Sequence, residues 1–335
     1  MIPMSGKLTN KGVLIDSFGR THDYLRLSIT DRCNFNCLYC KPDKCNSDNK
    51  IGHMSPNEIG EIADAFIYLG ITKIRITGGE PLMRKDFAEI ADILGKKNIK
   101  LALTTNAFYL DKYLDCLKEN NFQFLNISLD SLNADKFQKI TGSNRLQKIL
   151  SNIEKAIAAN LTVKINTVVI RDLNSDEIAD IASLTIRKPI SVRFIEFMPF
   201  KGNNWNFGRL IRHTEIVDEL KKYFQLEKIE NEKSETASYY KIPGSVGKIG
   251  VISTVSQPFC SSCNRIRLTS DGKIKSCLFG IHEFDLINPL RQHATISELI
   301  YSALKEKSFE HGGKKTFREF PEGYLDNRDM FAIGG

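Results

Sequence analysis

No apolar run in the 335 residues approaches the roughly 20 that a membrane-spanning helix needs. Residues 1–12 are polar and lack the apolar core of a secretory signal, so a cytoplasmic, reducing location is expected. The chain also lacks long blocks of like charge, and its net charge of +7 is modest for the length. Neither a nucleic-acid-binding tail nor a membrane is therefore expected as a partner. An internal repeat is missing too, beyond alternating strand and helix patterns. With 41% hydrophobic and 26% charged residues the chain can bury a sizeable core. At roughly 150 residues per domain it could hold two domains, although an α/β barrel alone takes about 250.

Fourth ligands are the most telling shortage. Six of the eight cysteines fall into two triplets, Cys33, Cys37 and Cys40 near one end and Cys260, Cys263 and Cys277 near the other. In a reducing compartment such clusters point to metal or catalysis rather than disulfides. Thiolates suit iron–sulfur clusters or zinc, and both commonly take four protein ligands. Three per site leaves one position at each metal group for substrate or cofactor.

The first 200 residues alternate β-rich runs with amphipathic stretches. Strands are expected at 24–30, 73–77, 101–105, 124–129, 162–170 and 191–197, with helices at 56–69, 86–97, 111–119, 145–160 and 176–186. Ser55 is placed to cap the first helix and Pro56 to open it. Six strands, each but the last followed by a helix, predict an α/β fold with a parallel sheet in an incomplete (βα)6, TIM-like barrel. Chemistry in such folds gathers at the C-terminal strand ends. The first triplet, Gly78-Gly79-Glu80-Pro81, Thr104-Thr105-Asn106, Ser128 and Met198 all fall at those ends. Residues 1–200 thus read as one region. Residues 201–335 read as a second, α+β region, with a polar connector at 201–208, helices at 214–223 and 297–307, a charged loop at 231–238 and a loop-like end from His311.

Cys33, Cys37 and Cys40 have C-x3-C-x2-C spacing, which can present three sulfurs to three irons of a cubane cluster. Tyr39 stands between the last two cysteines, where an aromatic can lie against an adenine. Two glycines after the second strand permit a tight turn and close backbone approach, and Glu80 adds a carboxylate able to receive an ammonium group. A zinc knuckle completed by Cys45 or His53 is the plainer alternative, but it leaves these neighbours unexplained. The combination resembles the radical S-adenosylmethionine superfamily. That resemblance implies that the fourth iron binds the amino and carboxylate groups of S-adenosylmethionine.

The second triplet brackets Asn264-Arg265-Ile266-Arg267-Leu268, and strand alternation puts Arg265 and Arg267 on one face. Guanidinium forks beside an incomplete metal site suit an anionic ligand that touches both. A zinc ribbon using Cys116 or a histidine is the plainer alternative. The chain from Asp16-Ser17-Phe18-Gly19-Arg20 onward, through residues 25–35, 73–82, 193–198 and 260–267 to the terminal Gly334-Gly335, resembles the molybdenum cofactor biosynthesis protein A family, the GTP 3′,8-cyclases.

The resemblance implies an incomplete barrel whose open side is covered by the C-terminal region, with one [4Fe-4S] cluster at each end of a central cavity. The first cluster would bind S-adenosylmethionine and the second the guanine of GTP. Reductive cleavage would give a 5′-deoxyadenosyl radical, which takes hydrogen from C3′ of GTP. The carbon radical then attacks C8, and reduction yields (8S)-3′,8-cyclo-7,8-dihydroguanosine 5′-triphosphate. Tyr39, Gly79, Ser128 and Met198 match positions that contact S-adenosylmethionine, and Arg26, Arg75, Thr104, Lys164, Arg265 and Arg267 match positions that contact GTP. No protein side chain is expected to act as the catalyst itself. The C-terminal glycines are expected to reach the active site. An electron donor and the next enzyme, cyclic pyranopterin monophosphate synthase, are the implied partners of a monomer or homodimer.

Independently of the resemblance, Arg26, Arg75, Lys164 and Arg193 all fall on inner strands, an unusual set of cations that a triphosphate would neutralise. Two departures from the family pattern stand out: Cys40 is followed by Lys41-Pro42 rather than Met-Pro, and Thr104-Thr105-Asn106 by Ala107 rather than glycine. Both are expected to affect local packing only. Another radical S-adenosylmethionine enzyme with an auxiliary cluster, such as a peptide modifier, is the rival reading. Such enzymes usually carry more than three C-terminal cysteines, and the Arg265/Arg267 pair and the Gly-Gly tail would be unexplained in them.

Overall fold

The computed structural model describes residues 12–40, 53–230, 235–313 and 327–334. Cys45, the Lys41-Pro42 departure, Gly335 and residues 231–234 of the expected charged loop lie outside the described residues.

The first six strands are β1 (Tyr24–Ser28), β2 (Lys73–Thr77), β3 (Lys100–Thr105), β4 (Phe122–Ser128), β5 (Thr162–Val169) and β6 (Ser191–Glu196). They lie in sequence order, and each pairs in parallel with the next. Between them run α1 (Pro56–Tyr68), α2 (Phe87–Gly95), α3 (Leu114–Glu119), α4 (Ala134–Thr141), α5 (Leu146–Ala158) and α6 (Ile178–Arg187). Alternation sets the two faces of the sheet. Leu25, Leu27, Ile74, Ile76, Leu101, Leu103, Leu125, Ile127, Val163, Ile165, Val192 and Phe194 are fully buried, in one apolar core with Ile59, Ile62 and Phe66 of α1 and the facing residues of the other helices. The intervening positions, which carry Arg26, Arg75, Thr104, Lys164 and Arg193, occupy the opposite face.

Beyond β6 come α7 (His213–Lys221), β7 (Glu227–Ile229), β8 (Ser238–Lys241), β9 (Lys248–Ile252), β10 (Arg265–Leu268), β11 (Lys273–Lys275), β12 (Phe284–Asp285), α8 (Ile287–Arg291) and α9 (Ser297–Lys305). The same sheet continues through them at both ends. β10 pairs in parallel with β1, and β9 in parallel with β6. β11 and β12 extend one edge and β8 and β7 the other, all antiparallel.

Several expectations change at the element ends. The first strand stops at Ser28 rather than residue 30. The helix expected at 111–119 divides into a 3₁₀ turn, Leu110–Lys112, and α3. The expected loop at 231–238 already enters β8 at Ser238, and the loop-like end contains 3₁₀ turns at His311–Gly313 and Met330–Ala332. Helix α4 is absent from the sequence-based expectations. Asn133 caps it by accepting from the Asp135 and Lys136 amides at 3.0 and 3.1 Å, and Gly142 ends it at φ 70°. The Ser55 cap on α1 is as expected, completed by Glu58 in a capping box. Ala107 takes φ 62°, the left-handed region that favours glycine, which gives the family's usual residue there a conformational reason. Among the described residues no helix is long and apolar enough to cross a membrane.

Candidate functional site

The first cysteine loop is held from two sides. The Asn36 and Leu38 amides donate to the Thr141 and Ile140 carbonyls at 2.9 Å each, so the C-terminal end of α4 carries the middle of the loop. The Gly78-Gly79 turn lies against the stretch leading into Cys33, where Gly79 N donates to Thr30 O and Glu80 N to Arg32 O, both at 2.7 Å. A Cβ on Gly78 would meet Thr30 O at 2.5 Å, and one on Gly79 would stand 2.6 Å from the Arg32 carbonyl carbon. The two glycines are therefore required by a backbone-to-backbone contact with the cysteine loop.

Glu80 is almost wholly buried, and its carboxylate is held in place by its neighbours. Its carboxylate accepts from the Leu82 amide (3.1 Å), the Thr105 hydroxyl (2.7 Å) and the Asn106 amide (2.7 Å), tying the end of β2 to the end of β3. Burial pushes its pKa up to about 7 against these hydrogen bonds.

The three sulfurs lie close together in polar surroundings. Cys33 Sγ accepts from Phe35 N at 3.4 Å and from Asn106 Nδ2 at 3.9 Å. The half-buried Cys37 thiol is pushed well up by desolvation, then by Asp130, Cys40 and Cys33, which places the triplet within mutual electrostatic range. Among the described residues no three ligand-type side chains converge on a single ion. A cubane distributes its cysteines over separate irons, so separated but neighbouring sulfurs fit it. His53, the zinc alternative's fourth ligand, is instead bonded to Asp31 at 2.7 Å. Tyr39 donates its hydroxyl to Asp130 at 2.7 Å, and Asp130 also accepts from Val168 N at 2.9 Å.

At the second triplet, Cys263 Sγ accepts from Arg265 Nη2 and from Lys307 Nζ, each at 3.7 Å. These two cations outweigh burial and hold the Cys263 thiol down at about 6. Cys260 is pushed up by burial, with Cys277 and Cys263 adding to the effect, so these three sulfurs are also neighbours. Arg20 braces the site by donating to the Cys260 carbonyl at 2.7 Å and to Asp16 at 2.6 Å. The buried His22 ring also bonds Asp16, at 3.0 Å.

Between the triplets, strand register assembles a row of arginines. Arg26 on β1 pairs with Arg267 on β10 and with Arg75 on β2, and Tyr24 one turn of the pleat away pairs with Arg265 and Lys73. Thr104, Asn126 and Lys164 form a second row across β3, β4 and β5. Burial and then Arg193, Lys73, Arg75 and Lys248 push the Lys164 amine down to about 8. Arg26 falls well below its usual value through desolvation, then Arg267. Tyr24 is held down at about 7 despite burial, because Arg75, Arg26 and Lys73 favour its phenolate. The row also abuts the second triplet, for Cys277 and Cys263 act electrostatically on Arg267. Thr104 Oγ1, Asn126 Oδ1, Asn166 Oδ1, Arg193 Nε and Arg265 Nε are buried without a hydrogen-bond partner; the arginine nitrogens and the threonine hydroxyl can donate to an anion, and the two amide oxygens can accept from a ligand's N–H or O–H groups.

The C-terminal segment enters this row. The Gly334 carbonyl accepts from Arg26 Nη2 at 3.0 Å and Arg267 Nη1 at 2.8 Å, and the Ile333 carbonyl accepts from the same Arg267 nitrogen at 3.2 Å. Met330 and Ile333 pack with Phe200 and Phe279 in a small apolar cluster that Cys40, Met198 and Cys277 also touch. Ser128 ends β4 beside Asn166 of β5. Lys73, Tyr24, Asn126, Asn166, Asp130 and Lys307 were not expected in the site. The first four stand at alternate strand positions beside expected residues, a signal open to sequence reading; Asp130 and Lys307 gave none.

A parallel strand–helix series with a three-cysteine loop after its first strand defines the radical SAM class, and residues 27–185 match the Radical SAM superfamily model. Residues 190–313 match the Molybdenum Cofactor Synthesis C family. The chain is 43% identical to a protein named GTP 3′,8-cyclase from Peptoclostridium acidaminophilum, over 98% of this chain and 100% of that one. It is 42% identical to the mitochondrial GTP 3′,8-cyclase of Arabidopsis thaliana, over 96% and 84%. With Molybdenum cofactor biosynthesis protein 1 of Homo sapiens it shares 41% identity, over 96% of this chain and 51% of that one. The crystal structure of Streptococcus suis SuiB is similar in fold, with a TM-score of 0.64 at 12% identity, over 87% of this chain and 68% of that one. The chain belongs to the GTP 3′,8-cyclase family of radical SAM enzymes. Membership of the superfamily implies S-adenosylmethionine and one [4Fe-4S] cluster.

Proposed function

We propose that this enzyme converts GTP to (8S)-3′,8-cyclo-7,8-dihydroguanosine 5′-triphosphate, the first step of molybdenum cofactor biosynthesis, using S-adenosylmethionine and two [4Fe-4S] clusters. The observation that carries this reading is the buried and half-buried arginine row lying beside the second cysteine triplet, in a family whose members are named for acting on GTP. Cys33, Cys37 and Cys40 hold the first cluster, and Cys260, Cys263 and Cys277 the second. When bound, the first cluster and S-adenosylmethionine supply the radical that removes a hydrogen atom from the ribose. The chain's residues bind, orient and shield. Tyr39, fixed by Asp130, together with Gly79, Ser128 and Met198, holds S-adenosylmethionine. Arg26, Arg75, Thr104, Lys164, Arg265 and Arg267 hold GTP. The triphosphate offsets a cation cluster that burial otherwise makes costly.

In this reading the six parallel strands form an incomplete (βα)6 barrel of residues 1–200, and residues 201–335 cover its open side and carry the second cluster. The enzyme works in the cytoplasm, as a monomer or homodimer, with an external electron donor, and passes its product to cyclic pyranopterin monophosphate synthase. The test is anaerobic incubation of reconstituted protein with S-adenosylmethionine, dithionite and GTP. The expected outcome is 5′-deoxyadenosine whose formation depends on GTP, with a cyclised nucleotide, from protein holding about eight irons per chain. Colourless zinc-loaded protein, or dependence on a peptide in place of GTP, overturns the proposal.

A further inference from the structure

We propose that Arg328 is a positioning residue: it clamps the C-terminal segment to the β10–β11 turn and the loop before β12, and so sets the Ile333 and Gly334 carbonyls on Arg26 and Arg267. The inference rests on the function proposed above. It concerns a cluster of charged groups outside the arginine row. Arg328 Nη1 and Nη2 meet the two oxygens of Asp271 at 2.8 and 2.9 Å, a bidentate pairing, and Nη2 meets Glu283 Oε2 at 2.6 Å. Glu283 in turn accepts from Lys275 Nζ at 3.2 Å. The buried Lys275 also donates to Asn327 Oδ1 at 3.2 Å and to Gly280 O at 2.7 Å, and Asn327 Nδ2 donates to Leu278 O at 3.1 Å. Residues 327 and 328 are thus fixed by side chains from β11 and its flanking turns.

Geometry turns this clamp into a positioning device. Five residues separate Arg328 from Gly334. They are shaped by a 3₁₀ turn in which Ala332 N donates to Asp329 O at 3.0 Å and Ile333 N to Met330 O at 3.2 Å. The turn drops Met330 and Ile333 into the apolar cluster beside Cys40, Met198 and Cys277. A short segment held at one end by a planar, two-pronged ion pair and seated by two apolar side chains has little freedom at its other end. Arg328 and Lys275 face Asp271 and Glu283, and the half-exposed Lys273 also approaches Asp271, at 3.8 Å. A lysine at 328 cannot span both carboxylates as the guanidinium does.

The test compares wild type, Arg328→Ala, Arg328→Lys and Asp271→Asn as full-length reconstituted proteins. Hydrogen exchange reads the Ala332 and Ile333 amides, and turnover reads cyclised nucleotide formed per 5′-deoxyadenosine. Protection of the two amides is expected to fall about tenfold or more in Arg328→Ala. Asp271→Asn, which attacks the same pair from the other element, should do likewise, and Arg328→Lys should fall between. The nucleotide yield per 5′-deoxyadenosine should drop in the same order. Unchanged protection in both Arg328→Ala and Asp271→Asn overturns the proposal, as does lost protection with an unchanged yield. Should Arg328→Ala fail to fold, Asp271→Asn and Arg328→Lys decide. Absence of any cyclised nucleotide from wild type would sink the functional reading instead, and hydrogen exchange would still decide the clamp.

Discussion

Adding one methyl group at Gly79 tests how the first cysteine loop is held. Gly79 does not occupy the left-handed region, so an alanine there meets no backbone-conformational penalty and the contact alone decides. The new Cβ would lie 2.6 Å from the Arg32 carbonyl carbon and 3.0 Å from the Asp31 carbonyl oxygen, with no flexible side chain to yield. Restoring an ordinary carbon contact near 3.5 Å requires the two backbones to part by about 1 Å. That separation stretches both 2.7 Å hydrogen bonds, Gly79 N to Thr30 O and Glu80 N to Arg32 O, beyond useful range. At about 1 kcal/mol net for each bond, plus about 1–3 kcal/mol for overpacking, Gly79→Ala should cost about 4 kcal/mol. Denaturant unfolding of the apoprotein measures the cost. With a cluster at each triplet, as proposed above, iron content after reconstitution should fall toward half, because the first loop is displaced while the second triplet is untouched. A variant with the wild-type midpoint and full iron would refute the backbone-contact account of the Gly-Gly pair.

Four further outcomes are expected. Asn133→Ala removes the α4 cap and should cost about 1 kcal/mol, together with faster exchange of the Asn36 and Leu38 amides. Lys164, held at about 8, should take up a proton when an anionic triphosphate binds above that pH; GTP titration calorimetry at pH 8.5 in two buffers should show that uptake, and Lys164→Arg should abolish it. His22 is pushed down to about 4 by burial and then Lys307. The unfolded chain therefore binds the extra proton first, so stability is full above about 6.5 and declines as pH falls to 4, by up to about 3 kcal/mol; denaturant midpoints across that window should lose this slope in His22→Gln. Deleting Gly334 and Gly335 should spare S-adenosylmethionine cleavage and suppress cyclisation, and normal nucleotide yield from the truncated protein would refute the tail's role.

Much of the framework is legible in short-range pattern, because strand alternation and helix capping are local. Tyr24, Arg26, Lys73 and Arg75 sit at period-two positions, so a reader can place them on one face before any fold is known. The Ser55–Pro56 start of α1 is equally local. Helix α4 carried its own signals in Asn133 and Gly142, yet it is only eight residues long and gives a weak periodic pattern. What local pattern cannot supply is register between distant strands. Nothing in residues 260–267 says that Arg267 will stand opposite Arg26 rather than elsewhere, since that depends on β10 pairing with β1. Nor could the neighbourhood of Glu80 reveal that its carboxylate would accept from Thr105 and Asn106, because those partners come from the next strand. Ala107 departs from the family pattern in sequence alone, but its conformational meaning lies in a backbone angle.

The pairing of β10 with β1 has a consequence for how the chain is made. Asp23 and Asn264, which flank the two strands and bond at 2.6 Å, are separated by 241 positions. During synthesis the outer edge of β1 therefore waits for nearly four-fifths of the chain to emerge before its partner exists, and the outer edge of β6 waits for β9. Bare strand edges are templates for aggregation, and long-range parallel pairing is slow. Production of this enzyme should be most vulnerable in that interval, and a chain cut at residue 200 should leave both edges unpaired and collect as aggregate.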